Sequence, residues 1–171
     1  MGSVQRTSFS EMACSLARSL DVAGEWWTPM IVRDVWMGVR RFDQIQHDLG
    51  LSRKVLADRL DTLVREGVLE RRPYQERPTR HEYVLTGKGR ELMDVLLALI
   101  AWGDRWTAEE AGPPMLLRHK RCGELTHAEV TCSCCGEPLH AREVRMEPGP
   151  GARVGRGTRR LEQLLESARE T

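Results

Sequence analysis

The spacing of apolar residues predicts three short helices near the start of the chain. Residues 14–24 (CSLARSLDVAG) and 26–37 (WWTPMIVRDVWM) carry apolar side chains at helical intervals. A third helix has its apolar positions at Phe42, Ile45 and Leu49. Because glycines follow the second and third segments, we expect each of these helices to end there.

The next segment predicts a fourth helix, which follows the third one closely in the chain. Ser52 is a favourable N-cap, and Gly67 is a favourable stop. One apolar stripe runs along the segment between them and comprises Leu56, Leu60, Leu63 and Val64. Only a tight turn separates this helix, Ser52–Glu66, from the helix before it. The pair therefore predicts a helix-turn-helix.

The period of the pattern then changes from helical to alternating. Residues 68–74 (VLERRPY) and 81–86 (HEYVLT) alternate as strands do, and the polar segment Gln75–Arg80 separates them. A helix-turn-helix followed by strand, loop and strand is a winged helix. We therefore expect a mainly α fold with a small β wing.

A long helix is expected to follow Thr86, over about Lys88–Glu110. Its segment Leu92–Trp106 is apolar on nearly every side, which a small domain covers poorly. A second copy of the chain is the expected cover, and the alternative is a helix central to its own core. This apolar run is too short and too charged to span a membrane, so we expect no membrane partner.

Composition limits where attraction to nucleic acid can come from. The chain has 171 residues, 40% of them hydrophobic and 30% charged, with a net charge of +1. Such a balance is ordinary for a globular protein, and any pull toward DNA must be local. The first residues lack the pattern of a signal peptide. We therefore expect a cytoplasmic protein, in which clustered cysteines are more often metal ligands or redox thiols than disulfides.

Basic residues lie at the start of the second helix of the predicted helix-turn-helix, the end that would enter the major groove. The first residues of such a helix face base edges in the major groove, and here they are Ser52, Arg53 and Lys54. Arginine is the commonest bidentate partner of guanine, whereas lysine as often contacts phosphate. Further backbone contacts are expected from Arg40 and Arg41 and, in the wing, from Arg77 and Arg80. The alternatives are a solvated helix face or a winged helix that binds proteins without binding DNA.

These motifs together resemble the HxlR-type family of bacterial winged-helix transcription regulators, over about residues 12–106. The resemblance is carried in order by LDVAGEWWTPMIVRDV, RRFDQI, LSRKVLADRL and EYVLTGKGREL. It implies a homodimer that is built from the first and the long last helix and binds a pseudo-palindromic operator in double-stranded DNA, mostly as a repressor. In some relatives the cysteine that matches Cys14 senses oxidants or electrophiles, although a packing role for it is the alternative. Five tryptophans are expected either to line a cavity for an unknown small-molecule effector or to pack in the core.

The segment His119–Glu137 (HKRCGELTHAEVTCSCCGE) holds four of the five cysteines. Two of its pieces align on each other, HKRCG and CSCCG, and each has the form ligand-x-x-ligand-Gly. This is the shape of a zinc knuckle, in which the glycine allows the positive φ of the turn. A short strand (LTHAEVT) is expected between the knuckles. We predict a structural zinc ion held by His119, Cys122, Cys132 and Cys135 in a small ribbon. Replacement of one ligand by His127, His140 or Cys134 is left open.

The predicted organisation has four parts. Residues 1–111 form the DNA-binding and dimerisation domain, 115–146 the ribbon-like module, 147–157 a Gly/Pro linker and 158–171 an amphipathic helix. Four protein ligands would leave no open position on the metal for water, and we find no acid–base pair near them. We therefore predict no catalytic residues and no enzyme.

Overall fold

The computed structural model describes residue 9 and residues 11–160. The chain divides into two compact units, Met1–Pro29 with Val144–Thr171, and Met30–Glu143. Most of the helix predicted over 158–171 lies outside the described residues, and the predicted four-part division stays a prediction. No helix among the described residues is long and apolar enough to cross a membrane.

Five α-helices and two small sheets form the described structure. The helices are α1 Ser15–Ala23, α2 Trp27–Met37, α3 Phe42–Leu49, α4 Arg53–Arg65 and α5 Gly87–Trp106. The strands are β1 Leu69–Glu76 and β2 Thr79–Leu85, followed after α5 by β3 Leu117–Arg118 and β4 Leu125–Thr126. Each sheet is an antiparallel pair, β1 with β2 and β3 with β4. The winged helix-turn-helix predicted from the sequence is therefore confirmed.

The predicted helix ends are confirmed for α2, α3 and α4. Gly38, Gly50 and Gly67 follow them with φ of +99°, +64° and +68°, a backbone region that favours glycine. The end of α5 was predicted wrongly, because the helix stops at Trp106 rather than near Glu110. Both the N–H and the hydroxyl of Thr107 donate to the carbonyl of Gly103, at 2.7 and 2.8 Å, and close the last turn.

The wing is longer than predicted, and its loop is shorter. Gln75 pairs with Arg80 and Glu76 with Thr79, so the turn comprises only Arg77 and Pro78. The polarity of Gln75–Arg80 indicates exposure to solvent, but exposed residues still pair through their backbones. A strand that is exposed on both faces loses the alternation by which sequence patterns identify strands.

The core of the unit Met30–Glu143 is formed by the helix-turn-helix, the base of the wing and one side of α5. Its apolar side chains at 2% exposure or less are Ile31, Val32, Val35, Ile45, Leu56, Leu60, Leu63, Val68, Leu69 and Met93. Three residues of the apolar stripe predicted for α4, Leu56, Leu60 and Leu63, are thus buried, and the fourth, Val64, is half-buried. Their burial fixes which face of α4 remains outside. In the other unit, the N–H of Phe9 donates to both carboxylate oxygens of Asp21 at 3.0 Å.

The start of α5 is attached to the end of α4 by a compact set of hydrogen bonds. The hydroxyl of Thr86 donates to the carbonyl of Gly67 at 2.6 Å and accepts from the N–H of Gly89 at 3.1 Å. The N–H of Thr86 donates to the carbonyl of Val68 at 3.1 Å. A Cβ on Gly89 would lie 2.2 Å from that carbonyl oxygen, so only glycine allows this approach.

We expect the substitution Gly89→Ala to lower the free energy of unfolding by about 1–3 kcal/mol, because the methyl group would force α5 away from Val68. Gly87→Ala is the matched control, since nothing lies closer than 3.9 Å to a Cβ at that position. Alanine is the better helix former, so the control should be neutral or up to about 1 kcal/mol more stable. Urea unfolding measures both. Equal effects of the two substitutions would contradict the close approach.

Candidate nucleic-acid interface and cysteine turns

The N-terminal end of α4 is the exposed end of the helix-turn-helix. The hydroxyl of Ser52 accepts from the N–H of Val55 at 3.3 Å, which confirms Ser52 as the N-cap. Ser52, Arg53 and Lys54 are all exposed, whereas Leu56 is fully buried. Burial of the apolar stripe therefore turns the predicted base-contacting residues toward solvent.

Two of the predicted arginines are positioned by aromatic rings. The guanidinium of Arg53 lies 5.2 Å from the ring centroid of Phe42, and that of Arg41 lies 4.3 Å from that of Tyr74. Both distances are within cation–π range. The sequence pattern predicts Phe42 only as an apolar helix position and gives Tyr74 no role at the DNA surface. Their signal is the adjacency of basic and aromatic residues, in RRF and in the strand that precedes the wing turn.

The segment before α3 is joined to the wing through its backbone. The N–H of Tyr83 donates to the carbonyl of Arg40 at 2.8 Å, and Arg41 pairs with Glu82 as an isolated bridge. Arg40 and Arg41 are thus placed beside the strand that continues from the wing turn. The structure thereby connects the first helix of the helix-turn-helix with the wing.

Four of the predicted DNA contacts are exposed cations. The side chains of Arg40, Lys54, Arg77 and Arg80 form no ion pair with any residue that the structure describes. Other arginines of the same unit are paired, Arg71 with Asp61 and Arg72 with Glu70. Unpaired cations are the ones available to phosphate, since no acidic side chain competes for them.

One acidic residue is buried beneath this region. Asp34 in α2 is 1% exposed, and its Oδ1 accepts from the guanidinium of Arg33 at 2.6 Å. Burial raises the pKa of Asp34, while the Arg33 guanidinium opposes the increase. Arg33 also lies 3.7 Å from Asp48 in α3. This cluster links α2 to α3, the first helix of the helix-turn-helix.

Cys14 is a free thiol at the start of α1. It occupies the N-cap position, its side chain makes no cap hydrogen bond, and it is partly exposed. No hydrogen bond joins its sulfur to the guanidinium of Arg18 within the described residues. The thiol is therefore partly accessible to solvent.

The tryptophans do not form the core of the described chain. All five are more than one third exposed, with Trp26 the most exposed at 89%. Core packing within one chain was therefore the wrong alternative. A groove of about 490 Å³ lies between the end of α5 and the β3–β4 hairpin, and Asp104, Met115, Leu117 and His127 are among its lining residues. No tryptophan lines this groove.

The four residues of the cysteine segment that were predicted to bind zinc lie in two separate turns. The Nδ1 atom of His119 lies 3.3 Å from Cys122 Sγ in one turn, and Cys132 and Cys135 belong to the next. Hydrogen bonds from the backbone N–H groups of Cys135 and Cys134 lower the pKa of the Cys132 thiol. Within residue 9 and residues 11–160, no three His, Cys, Asp or Glu side chains are grouped to hold one ion.

The strand that was predicted between the two pairs is short. Only Leu125 and Thr126 are in β4, and Thr131 forms an isolated bridge with Pro138. The alternation of LTHAEVT predicts a longer strand, but residues 127–130 have no regular structure. Each hairpin provides its own pairing partner, so no continuous strand connects them.

The fold and the exposed basic end of α4 together define a winged helix-turn-helix transcriptional regulator. The model of the HxlR-like helix-turn-helix family matches residues 22–111, more than half of the 171-residue chain. The chain belongs to this family.

Similarity to individual proteins extends beyond the residues matched by the family model. The HTH-type transcriptional regulator Rv3095 of Mycobacterium tuberculosis is 45% identical over 137 residues, which cover 80% of this chain and 87% of that protein. The crystal structure of PA1607, a putative transcription factor, has a TM-score of 0.73 at 36% identity and covers 82% of this chain and 99% of that one. The redox regulator HypR in its reduced form has a TM-score of 0.51 at 27% identity, over 54% and 92% of the two chains.

Proposed function

We propose that this chain is a cytoplasmic, homodimeric repressor that binds a pseudo-palindromic operator and has no catalytic activity of its own. The observation that supports operator binding is the exposed, basic N-terminal end of α4. Arg53, stacked on Phe42, reads a base, and Lys54 contacts a phosphate. Arg77 and Arg80 in the wing, with Arg40 and Arg41, hold the flanking backbone.

We expect the double substitution Arg53→Ala and Lys54→Ala to weaken binding to DNA from the chain's own promoter region. Loss of one bidentate base contact costs about 1–3 kcal/mol, or roughly 5- to 150-fold in affinity. Loss of the phosphate contact should also reduce the slope of log affinity against log salt by about one. Fluorescence anisotropy over a salt series measures both quantities.

Arg65→Ala is the matched control, because it removes one positive charge from the other end of α4, where Arg65 faces Glu66. It should leave both affinity and salt slope nearly unchanged. An equal loss of affinity in the control would mean that the effect comes from net charge rather than from contacts at the start of α4. Unchanged affinity in the double variant at physiological salt would instead favour a winged helix that binds proteins without DNA.

An apolar stripe on α5 supports the homodimer. Val95, Leu99, Trp102 and Trp106 are 64%, 55%, 57% and 69% exposed and lie on one face of the helix. The opposite side of α5 is buried through Met93 and Leu96. Two copies related by a twofold axis would bury the same stripe from each chain, which is the usual form of a homodimer interface. Leu16 and Leu20 on α1 are further exposed apolar residues.

We expect Leu99→Glu with Trp102→Glu to convert the dimer to a monomer, because pairing would bury two uncompensated charges in each chain. Sedimentation velocity measures the change of mass. Asp94→Lys serves as the control, since Asp94 is exposed on α5 but lies about a quarter turn from the stripe. If the double variant remained a dimer, the stripe on α5 would not be the dimer interface.

A second candidate function is oxidant sensing through Cys14. It is supported by the partly exposed free thiol at the start of α1 and by the similarity to the redox regulator HypR. In this function two thiols lose two electrons and two protons to an oxidant and form a disulfide, and DNA is released. Cys14 would be one of the two thiols.

We expect diamide to release DNA from the wild-type protein and not from Cys14→Ser, because serine cannot form the disulfide. Anisotropy before and after diamide, followed by reduction with dithiothreitol, measures the effect and its reversal. Cys134→Ser controls for the other exposed thiol outside the knuckle positions. Release that persists in Cys14→Ser would exclude Cys14 as the sensor.

A further inference from the structure

Two hairpins after α5 have the same backbone pairing at their bases. Arg118 pairs with Leu125 at the base of the first, and Thr131 pairs with Pro138 at the base of the second. The offset between the hairpins is constant at 13 residues, from 118 to 131 and from 125 to 138. We call residues 118–125 the first turn and residues 131–138 the second turn.

The hydrogen bonds inside the turns repeat with the same offset. In the first turn the N–H of His119 donates to the carbonyl of Glu124 at 2.9 Å. In the second turn the N–H of Cys132 donates to the carbonyl of Glu137 at 2.8 Å. His119 and Cys132, the first ligand of each sequence motif, therefore have equivalent backbone environments.

The glycine of each motif closes its turn in the same way. Gly123 donates to the carbonyl of His119 at 2.8 Å, and Gly136 donates to that of Cys132 at 2.9 Å. Both glycines have φ of +78°. A side chain would be strained at that φ, so the geometry accounts for a glycine after each second ligand. The second turn thus repeats the first in backbone form as well as in sequence.

In the first turn, the two candidate ligand atoms are about as far apart as two ligands of one zinc ion. The distance from His119 Nδ1 to Cys122 Sγ is 3.3 Å. Bonds of about 2.0 Å from zinc to nitrogen and about 2.3 Å to sulfur, at a tetrahedral angle, separate the two ligand atoms by roughly 3.5 Å. The pair therefore matches one edge of a zinc tetrahedron to within a few tenths of an ångström.

The segment that carries the turns has no apolar core of its own. No residue from 107 to 160 is buried, and Leu116, Leu125, Val130 and Leu139 are all exposed. Local backbone pairing of two residues does not hold such a hairpin in water. Small modules of this kind usually depend on a disulfide or a metal ion, and the five cysteines are free.

We infer that one zinc ion joins the two turns through His119, Cys122, Cys132 and Cys135, as a structural centre. Its ligands are two separate pairs in the described residues. Five residues, 126–130, connect the turns, and the extended chain from residue 125 to residue 131 spans about 20 Å, which is enough to bring both pairs to one ion. A closed Cys₃His set leaves no coordination site for water, so the ion holds the fold rather than performing chemistry. This inference does not depend on DNA binding.

The remaining candidate ligands occupy positions that the repeat does not use. Cys134 lies inside the second turn, where Arg121 lies in the first. His127 forms an ion pair of 3.2 Å with Glu129, between the two turns. His140 follows the second turn and belongs to neither knuckle motif. We therefore assign these three residues no role in the centre.

The test is metal analysis of the full chain purified under reducing conditions and supplied with zinc during expression. We expect about one zinc per chain in the wild type and in Cys134→Ser, and less than about one fifth in Cys122→Ser and Cys135→Ser. Less than about half an equivalent in the wild type, or full zinc in Cys122→Ser, would overturn the assignment.

A second measurement avoids variants that fail to fold. Zinc should protect Cys122, Cys132 and Cys135 of the wild-type protein from a thiol reagent, so that Cys14 and Cys134 react first. A chelator should then make all five thiols reactive. Cobalt in place of zinc should give the sulfur-to-metal charge-transfer absorption of a thiolate-ligated tetrahedral site. Equal reactivity of the five thiols in zinc-loaded protein would contradict the proposal.

Discussion

The contact between Gly89 and Val68 is the constraint on which the rest of the winged domain depends. The carbonyl of Val68 lies where the chain leaves α4 and enters the wing, and it accepts from the N–H of Thr86, which ends the wing. The backbone of α5 then approaches the same carbonyl so closely that a Cβ would overlap it. One short segment therefore fixes α4, the wing and α5 relative to one another.

This arrangement assigns different surfaces to the two ends of the domain. Because Leu56, Leu60 and Leu63 are buried, the orientation of α4 about its axis is fixed and its N-terminal residues face solvent. Met93 fixes α5 in the same way and leaves an apolar stripe outside. A rigid α4–α5 junction would transmit the spacing between two copies of α5 to the spacing between two copies of α4. In the proposed homodimer, that spacing would have to match the half-sites of the operator.

The sequence pattern predicts the elements of this domain well because each has a strong local determinant. Ser52 as a cap, Gly50 and Gly67 as stops, and the leucine stripe of α4 all have the predicted roles. One error, the end of α5, comes from the local contact of Thr107 with Gly103. The other errors concern contacts outside a single helix or strand. The wing strands continue through polar residues because their backbones pair, and Arg53 and Arg41 are positioned by Phe42 and Tyr74, which periodicity alone does not reveal. The exposure of all five tryptophans likewise depends on tertiary packing.

The segment after α5 is stabilised differently from the winged domain. In the winged domain, burial of apolar side chains selects the structure, and the hydrogen bonds follow from it. From residue 107 to residue 160 no side chain is buried, yet the backbone forms two matching turns. Binding of a protein partner alone would not explain why the same turn occurs twice with a glycine at the same position. Two matching turns, each with a candidate ligand pair, suit the proposed tetrahedral ion, because each turn would supply two of its four ligands.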